Sequence, residues 1–164
     1  MSHEICALAI AGPVDAQRAH SVGLRAVLVH EDVSVFPVNH YFSSYWAAKR
    51  GNSALLDLPD GLSLLFPTEA VLRDLVREVT GTDRPRFAII ETNYFGGAGD
   101  QGAVAFDGEE RLTPDGASIN QALAALGVRA TASMDEFEVI GLTGFRHNPE
   151  YLDVYVGLCE ELGL

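Results

Sequence analysis

Residues 97–102 read Gly-Ala-Gly-Asp-Gln-Gly, which matches the G-x-G-x-x-G pattern of loops that bind phosphate. In dinucleotide-binding folds this motif follows a strand and opens a helix, whose N-terminus holds the pyrophosphate. Here it follows the strand-like segment Arg86–Phe95 but leads into residues 103–106, which also form a strand-like run. Asp100 would in addition repel a phosphate. The sequence therefore predicts no dinucleotide site.

Residues 97–104 also match G-x-G-x-x-G-x-V, the glycine-rich loop that joins two strands in protein kinases. Kinase chemistry requires a lysine on the following strand and a His-Arg-Asp catalytic loop. The single lysine, Lys49, precedes the motif, and the sequence contains no His-Arg-Asp. We therefore predict that residues 96–102 form a glycine-rich connection between two strands. A loop that closes over a ligand is the alternative.

Polar residues beside this motif are candidates for a ligand-binding pocket. Glu91 and Asn93 are two residues apart on a predicted strand and therefore share one face. Their carboxylate and amide, with nearby phenol and amide groups, could orient a polar ligand, or they could simply bond to loop amides. The candidate ligand-binding residues are Glu91, Asn93, Tyr94, Gly97, Gly99, Asp100 and Gln101.

Residue types that bind metals or form covalent intermediates lack the necessary spacing. No two of the five histidines are three or four residues apart, and H-E-x-x-H, C-x-x-C and G-x-S-x-G are absent from the sequence. We therefore expect no metal and no cofactor, and we assign no catalytic residue. Cys6 and Cys159 lie in apolar segments and are predicted to be buried thiols in a reducing cytoplasm.

The charge distribution limits the classes of partner. The chain carries a net charge of −12, and residues 101–164 contain eleven acidic but only three basic residues. Such a surface repels phosphate backbones, so we predict no nucleic-acid binding. No apolar segment approaches the ~20 residues of a membrane span. A basic protein would be attracted, although acidity for solubility alone is the simpler alternative.

Two groups of residues are candidates for contact with such a partner. Aromatic residues recur at helical spacing in the segment His40–Arg50, where core packing is the alternative interpretation. Acidic pairs in the last third of the chain are predicted to be exposed, because few bases are available to pair with them. The candidate partner-binding residues are Tyr41, Tyr45, Trp46, Glu109, Glu110, Asp135 and Glu136.

Capping signals and hydrophobic patterns predict the fold class. Asn39 is predicted to cap a helix that ends at Gly51, and capping boxes are predicted at Ser118 and at Ser133. Strands and helices mix without strict alternation, which favours an α+β fold over a doubly wound one. We predict one domain over residues 1–164, with a mixed, mostly antiparallel sheet, hairpins and about five helices packed on it.

In size, acidity and predicted location, the chain resembles the small bacterial antidote or immunity proteins that block a basic toxin. This resemblance implies a non-catalytic cytoplasmic binding protein. The alternative is an enzyme or sensor that binds a small molecule in a pocket under the glycine-rich segment 96–102. A third possibility is an oligomer-forming role for the aromatic helix.

Overall fold

The computed structural model describes residues 2–164 and contains one six-stranded sheet with helices on both faces. The strands are β1 (Ser2–Ala11), β2 (Leu28–His30), β3 (Val33–Pro37), β4 (Arg86–Phe95), β5 (Ala98–Asp107) and β6 (Glu110–Arg111). The α-helices are α1 (Ala16–Ser21), α2 (His40–Arg50), α3 (Val71–Thr80), α4 (Ile119–Ala125), α5 (Glu136–Ile140) and α6 (Val154–Glu161). Two short 3₁₀ helices are Leu142–Gly144 and Glu150–Asp153.

The strand order is β2-β3-β1-β4-β5-β6, and each neighbouring pair of these strands is antiparallel. An isolated parallel bridge joins Glu4 to His147. The predicted α+β class is therefore confirmed, with six α-helices in residues 2–164 instead of about five.

The two faces of the sheet carry side chains of different size. Bulky residues such as Leu8, Phe87 and Phe106 lie on the face that packs against α1, α2, α3 and α6, which we call the bulky face. The opposite face, which we call the alanine face, carries mainly small residues, including Ala7 and Ala105, and packs against α4 and α5. Both faces of the central strands are buried, which explains why β1 and β4 are apolar over most of their length.

Two of the predicted helix starts are confirmed by their caps. The Asn39 side chain accepts a hydrogen bond from the N–H of Phe42 at 2.8 Å, and α2 ends at Gly51 with a φ of 62°. Ser118 and Gln121 form both hydrogen bonds of a capping box at the start of α4. Local side-chain chemistry therefore determines these boundaries.

The capping box predicted at Ser133 is wrong. The Thr131 hydroxyl oxygen accepts hydrogen bonds from the N–H groups of Ser133 and Met134, which forms a turn instead of a first helical turn. Helix α5 begins two residues later, where the Asp135 carboxylate accepts from the N–H of Glu138 at 2.9 Å. The carboxylate of Asp135 thus supplies the cap that we assigned to the hydroxyl of Ser133.

The connection predicted over residues 96–102 is much shorter in the structure. Only Gly96 and Gly97 form the turn, with φ values of 61° and 81°, and Ala98 is already paired with Phe95. Two consecutive positive φ angles match the tight turns that follow the twist of a hairpin. The rest of the motif, residues 98–102, belongs to β5, so the segment does join two strands but as a hairpin and not as an open loop.

The two glycines of this hairpin predict different responses to an added methyl group. A Cβ at Gly99 would overlap the carbonyl oxygen of Asn93, a backbone atom that cannot move without breaking the register. A Cβ at Gly97 would meet no atom within 4 Å, so Gly97→Ala incurs only the cost of a positive φ, about 1–2 kcal/mol. We expect Gly99→Ala to lower the free energy of unfolding by at least about 2 kcal/mol more than Gly97→Ala.

Urea denaturation of the two variants measures this difference. Equal losses of stability in Gly99→Ala and Gly97→Ala would contradict the tight register of β4 and β5.

Candidate functional site

A cleft of about 470 Å³ lies at the end of the bulky face where β1 begins and β4 ends. The rest of this face is covered by helices and by the segment 52–70, whose Leu56 and Phe66 are core residues; the cleft lies between this segment, the start of α2 and the sheet. The residues that line the cleft are Glu4, Ile5, Cys6, Asn39, His40, Tyr41, Ser63, Leu65, Glu91, Thr92, Asn93, His147 and Asn148.

The register between β1 and β4 determines which side chains form the floor of the cleft. Cys6 lies directly opposite Glu91, and Glu4 lies opposite Asn93. Directly paired residues project from the same face of a sheet, so these four side chains line one surface. Asp100, on β5, pairs with Asn93 and extends the same row away from β1.

The walls of the cleft are held by two asparagines and the start of α2. The Asn148 carboxamide oxygen accepts from the N–H of Cys6 at 3.1 Å, and its amide donates to the carbonyl of Val38 at 3.0 Å. This side chain therefore ties the segment before α6 to β1 and to the end of β3. Asn39 caps α2, which places His40 and Tyr41 at the opening, where their rings are tilted by 39° with centroids 3.8 Å apart.

Two carboxylates in the cleft have no counter-charge in the described part of the chain. Neither Glu4 nor Glu91 has a basic nitrogen of residues 2–164 within 4.0 Å. Eight other acidic residues are paired with arginines, as in Arg84 with Asp107 at 2.9 Å. The cleft therefore carries negative charge that the fold leaves available to an external cation.

The thiol at the back of the cleft is held in its neutral form. Cys6 is only 8% exposed, and this burial, with the nearby negative charge of Glu91, raises the pKa of the thiol well above its ordinary value of 9.0. A thiolate is the reactive form of cysteine, so Cys6 is not an activated nucleophile. Burial also raises the pKa of Cys159, whose thiol donates to the carbonyl of Tyr41. Both cysteines are buried free thiols, as predicted.

The predicted ligand-binding residues are divided between the two faces of the sheet. Glu91 and Asn93 line the cleft, whereas Tyr94 and Gln101 line a smaller pocket of about 280 Å³ on the alanine face. Gln101 donates to the Tyr94 hydroxyl at 3.1 Å and accepts from the N–H of Ile119, so it fixes the start of α4. These side chains therefore do not converge on one pocket, which was one of the two alternatives, because neighbouring residues of a strand point to opposite faces.

The glycines and Asp100 of the motif have separate positions. Gly97 lies in the turn, and Gly99 and Asp100 lie in the exposed first half of β5. Asp100 faces the same side as the cleft floor but does not line the cleft. The motif therefore forms no phosphate cradle at a helix N-terminus.

The alanine-face pocket is built around a buried histidine. His3 bonds through Nδ1 to the Thr92 hydroxyl at 2.7 Å and through Nε2 to the carbonyl of Leu142 at 2.8 Å. A carbonyl can only accept, so Nε2 carries a proton. The Thr92 hydroxyl also accepts from the N–H of Ile5. These bonds fasten β1 to the segment after α5 and give His3 a structural role.

The predicted partner-binding residues do not form one surface. Tyr41 borders the cleft, while Tyr45 and Trp46 are half-buried, and the ring of Tyr45 packs against Tyr155 at 5.5 Å. Core packing, the alternative interpretation, therefore describes most of the aromatic stripe.

The acidic candidates are distributed over two further regions. Glu109, in the turn before β6, and Glu110, the first residue of β6, are exposed, as predicted, but arginines lie beside both of them. Asp135 and the half-exposed Glu136 lie at the start of α5 on the alanine face. These acids add to the overall field of the protein, but they are not adjacent to the cleft.

Several cleft residues were not identified from the sequence. Glu4 and Cys6 alternate on β1, and this spacing alone could have placed Glu4 on one face with the apolar Leu8. His147 and Asn148 come close only through tertiary packing, because 140 or more residues separate them from β1. Their contribution has no local sequence signal.

Metal-binding groups and membrane-spanning helices are not present in residues 2–164. No three His, Cys, Asp or Glu side chains there are placed to hold a metal ion. The longest of the helices in this part of the chain has 11 residues, too few to cross a bilayer.

Comparison with known proteins gave no family model, no curated protein and no solved structure that matches this chain.

The neutral thiol predicts a specific dependence of stability on alkaline pH. Because the pKa of Cys6 is higher in the folded than in the unfolded chain, folding retains a proton that the unfolded chain loses above about pH 9. The free energy of unfolding should therefore be unaffected below this pH and fall as the pH rises above it. In Cys6→Ala, we expect a shallower fall.

Urea denaturation between pH 7 and pH 10 measures both slopes. If the free energy of unfolding falls with pH equally steeply in the wild type and in Cys6→Ala, the raised pKa assigned to Cys6 is contradicted. So would alkylation of Cys6 in the native protein at pH 8 at the rate of free cysteine.

Proposed function

We propose that this protein is a non-catalytic binding protein that takes basic side chains of a protein partner into the cleft. The observation that carries the proposal is the pair Glu4 and Glu91, two carboxylates in a preformed cleft without a basic partner in residues 2–164. A lysine or arginine of the partner would supply the missing charge.

The chemistry of the rim suits a long basic side chain. Leu65 is 61% exposed and Tyr41 is 37% exposed at the opening of the cleft. Lysine and arginine bury their aliphatic stems on apolar surface while the charged group reaches a polar site. The ring of Tyr41 can also contact the cation through its face. The cleft therefore combines a charged floor with an apolar entrance.

The overall charge favours a basic partner of protein size. A net charge of −12 creates a negative field that accelerates the encounter with a positive surface. Acidic residues outside the cleft, including Glu160 and Glu161, contribute to this field without contacting the cleft. More specifically, we propose that the partner is a basic toxin and that this protein is its antidote. An antidote must bind its toxin quickly, and such a field accelerates binding.

The neutral state of Cys6 supports a binding role over covalent catalysis. A thiol whose pKa is raised by burial is a poor nucleophile at neutral pH. In addition, Asn148 uses both ends of its amide to hold β1 and the end of β3 together. These two cleft residues therefore maintain the shape of the site.

A small cationic molecule is the second candidate ligand. The volume of about 470 Å³ falls in the range of small-molecule sites, which supports an enzyme or sensor role for the same cleft. A polyamine such as spermidine is the simplest probe of this class.

Neutralising the cleft tests the proposal. We expect Glu4→Gln/Glu91→Gln to weaken binding of poly-L-lysine by about tenfold, because close charge pairs at an interface contribute at least this much. The matched control is Glu160→Gln/Glu161→Gln, which removes the same charge from exposed residues of the C-terminal segment. This control should change the affinity less than about twofold. Isothermal titration calorimetry measures both.

Three results separate the candidates. Equal weakening by the two double variants would show that binding is a general effect of charge and would contradict the cleft assignment. Tight one-to-one binding of spermidine that is lost in Glu4→Gln/Glu91→Gln, with poly-L-lysine unaffected, would favour the small-molecule role. Absence of poly-L-lysine binding to the wild type would contradict the proposed function.

A further inference from the structure

Strand β5 has a free edge over its first half. Its ten residues pair with β4 along their whole length, but on the other side β6 pairs only with Phe106 and Asp107. Residues 98–102 have no neighbouring strand on that side within the described part of the chain. Free edges of this length are usually covered or shortened in natural proteins, because they can pair with another chain.

The hydrogen bonds of Ala105 show which backbone N–H and C=O groups of β5 point towards the free edge. Ala105 donates its N–H to the Thr113 hydroxyl at 3.1 Å and accepts at its carbonyl from the N–H of Leu112 at 2.8 Å. Both groups therefore point away from β4. Backbone groups alternate along a strand, so Gly99 and Gln101 point the same way as Ala105.

The hairpin supports this assignment independently. Phe95 and Ala98 close a two-residue turn, which places the Ala98 backbone groups towards β4. The pairing with β4 runs without a bulge from Ala98 to Asp107, so the alternation is unbroken. No residue of the described chain accepts from or donates to the outward backbone groups of Gly99 and Gln101.

We infer that the basic partner binds as an extended segment that adds a strand to the free edge of β5 at Gly99–Gln101. This inference rests on the proposed function, and it specifies how the partner is recognised. Gly99 and Gln101 together offer two N–H and two C=O groups, which is the main-chain basis of strand addition. The exposed glycine leaves space for the approaching backbone.

Charge selects the occupant and its register. Asp100 points to the bulky face between the two pairing residues, without an ion-pair partner in residues 2–164. A residue of the added strand directly opposite Asp100 lies on the same face, where a lysine or arginine is favoured by a cross-strand charge pair. Phe95, 80% exposed at the end of the hairpin, offers apolar contact beside it.

A second copy of this chain is the less favourable occupant. Edge-to-edge pairing of two β5 strands would bring together two chains that each carry a charge of −12. It would also place the acidic row of each copy, Glu4 to Asp100, beside that of the other. A basic segment is instead attracted to the acidic residues Glu4 and Asp100 of this row.

The test uses a decapeptide of alternating lysine and threonine in two N-methylated forms. If the peptide adds antiparallel to β5 with a lysine opposite Asp100, threonines lie opposite Gly99 and Gln101 and supply the main-chain hydrogen bonds. We therefore expect N-methylation of the threonines to weaken binding at least about tenfold, since it removes these donors and adds steric bulk. N-methylation of the lysines should change affinity less than about threefold, because those amides face solvent.

The outcomes separate this inference from the proposed function. If poly-L-lysine binds at the cleft but the two methylated decapeptides bind equally, or the decapeptide does not bind, strand addition is overturned and the proposed function stands. Greater weakening by lysine methylation would overturn the register opposite Asp100. Dimerisation of the free protein that is abolished by the unmethylated decapeptide would assign the edge to a second copy and overturn the inference.

Discussion

The antiparallel pairing of β1 with β4 is the constraint on which the other features depend. Its register sets Ile10 opposite Phe87 at one end and Glu4 opposite Asn93 at the other. A shift of one residue would exchange the bulky face with the alanine face along the whole strand. The same register that packs the core therefore also places Glu91 beside Cys6 and creates the polar floor of the cleft.

The site results from the length of the strands relative to the helices. Strands β1, β4 and β5 each have ten residues, and the helices on the bulky face cover mainly the apolar part. Beyond Leu8 and Ile89, Glu4, Glu91 and Asn93 bring polar groups to this face, where the first residues of α2 border the cleft. This end of the sheet offers carboxylates and apolar rim residues at the cleft, and free backbone groups at the nearby edge of β5. This combination is the basis on which we propose a basic, extended partner.

Local signals in the sequence predicted the fold class and several caps, but not the site. Asn39 and the Ser118 capping box were correct because both depend on residues three apart. The glycine motif led us to predict a connection over residues 96–102, because its spacing fits a loop. In the structure Gly96 and Gly97 alone form the turn. Asn148 joins the cleft through contacts across 142 residues of sequence, which no periodicity encodes. The division of the candidate ligand-binding residues between the bulky face and the alanine face could have been predicted, because side chains alternate along a strand.

Residue-resolved amide hydrogen exchange with and without the lysine–threonine decapeptide tests the central claim most directly. In the free protein, the amides of Asp100 and Gly102 should exchange slowly, because they point to β4, and those of Gly99 and Gln101 should exchange fast. Addition of the peptide should slow exchange at Gly99 and Gln101 specifically. Unchanged exchange at both residues, with the peptide bound, would contradict the account of this edge as the binding surface.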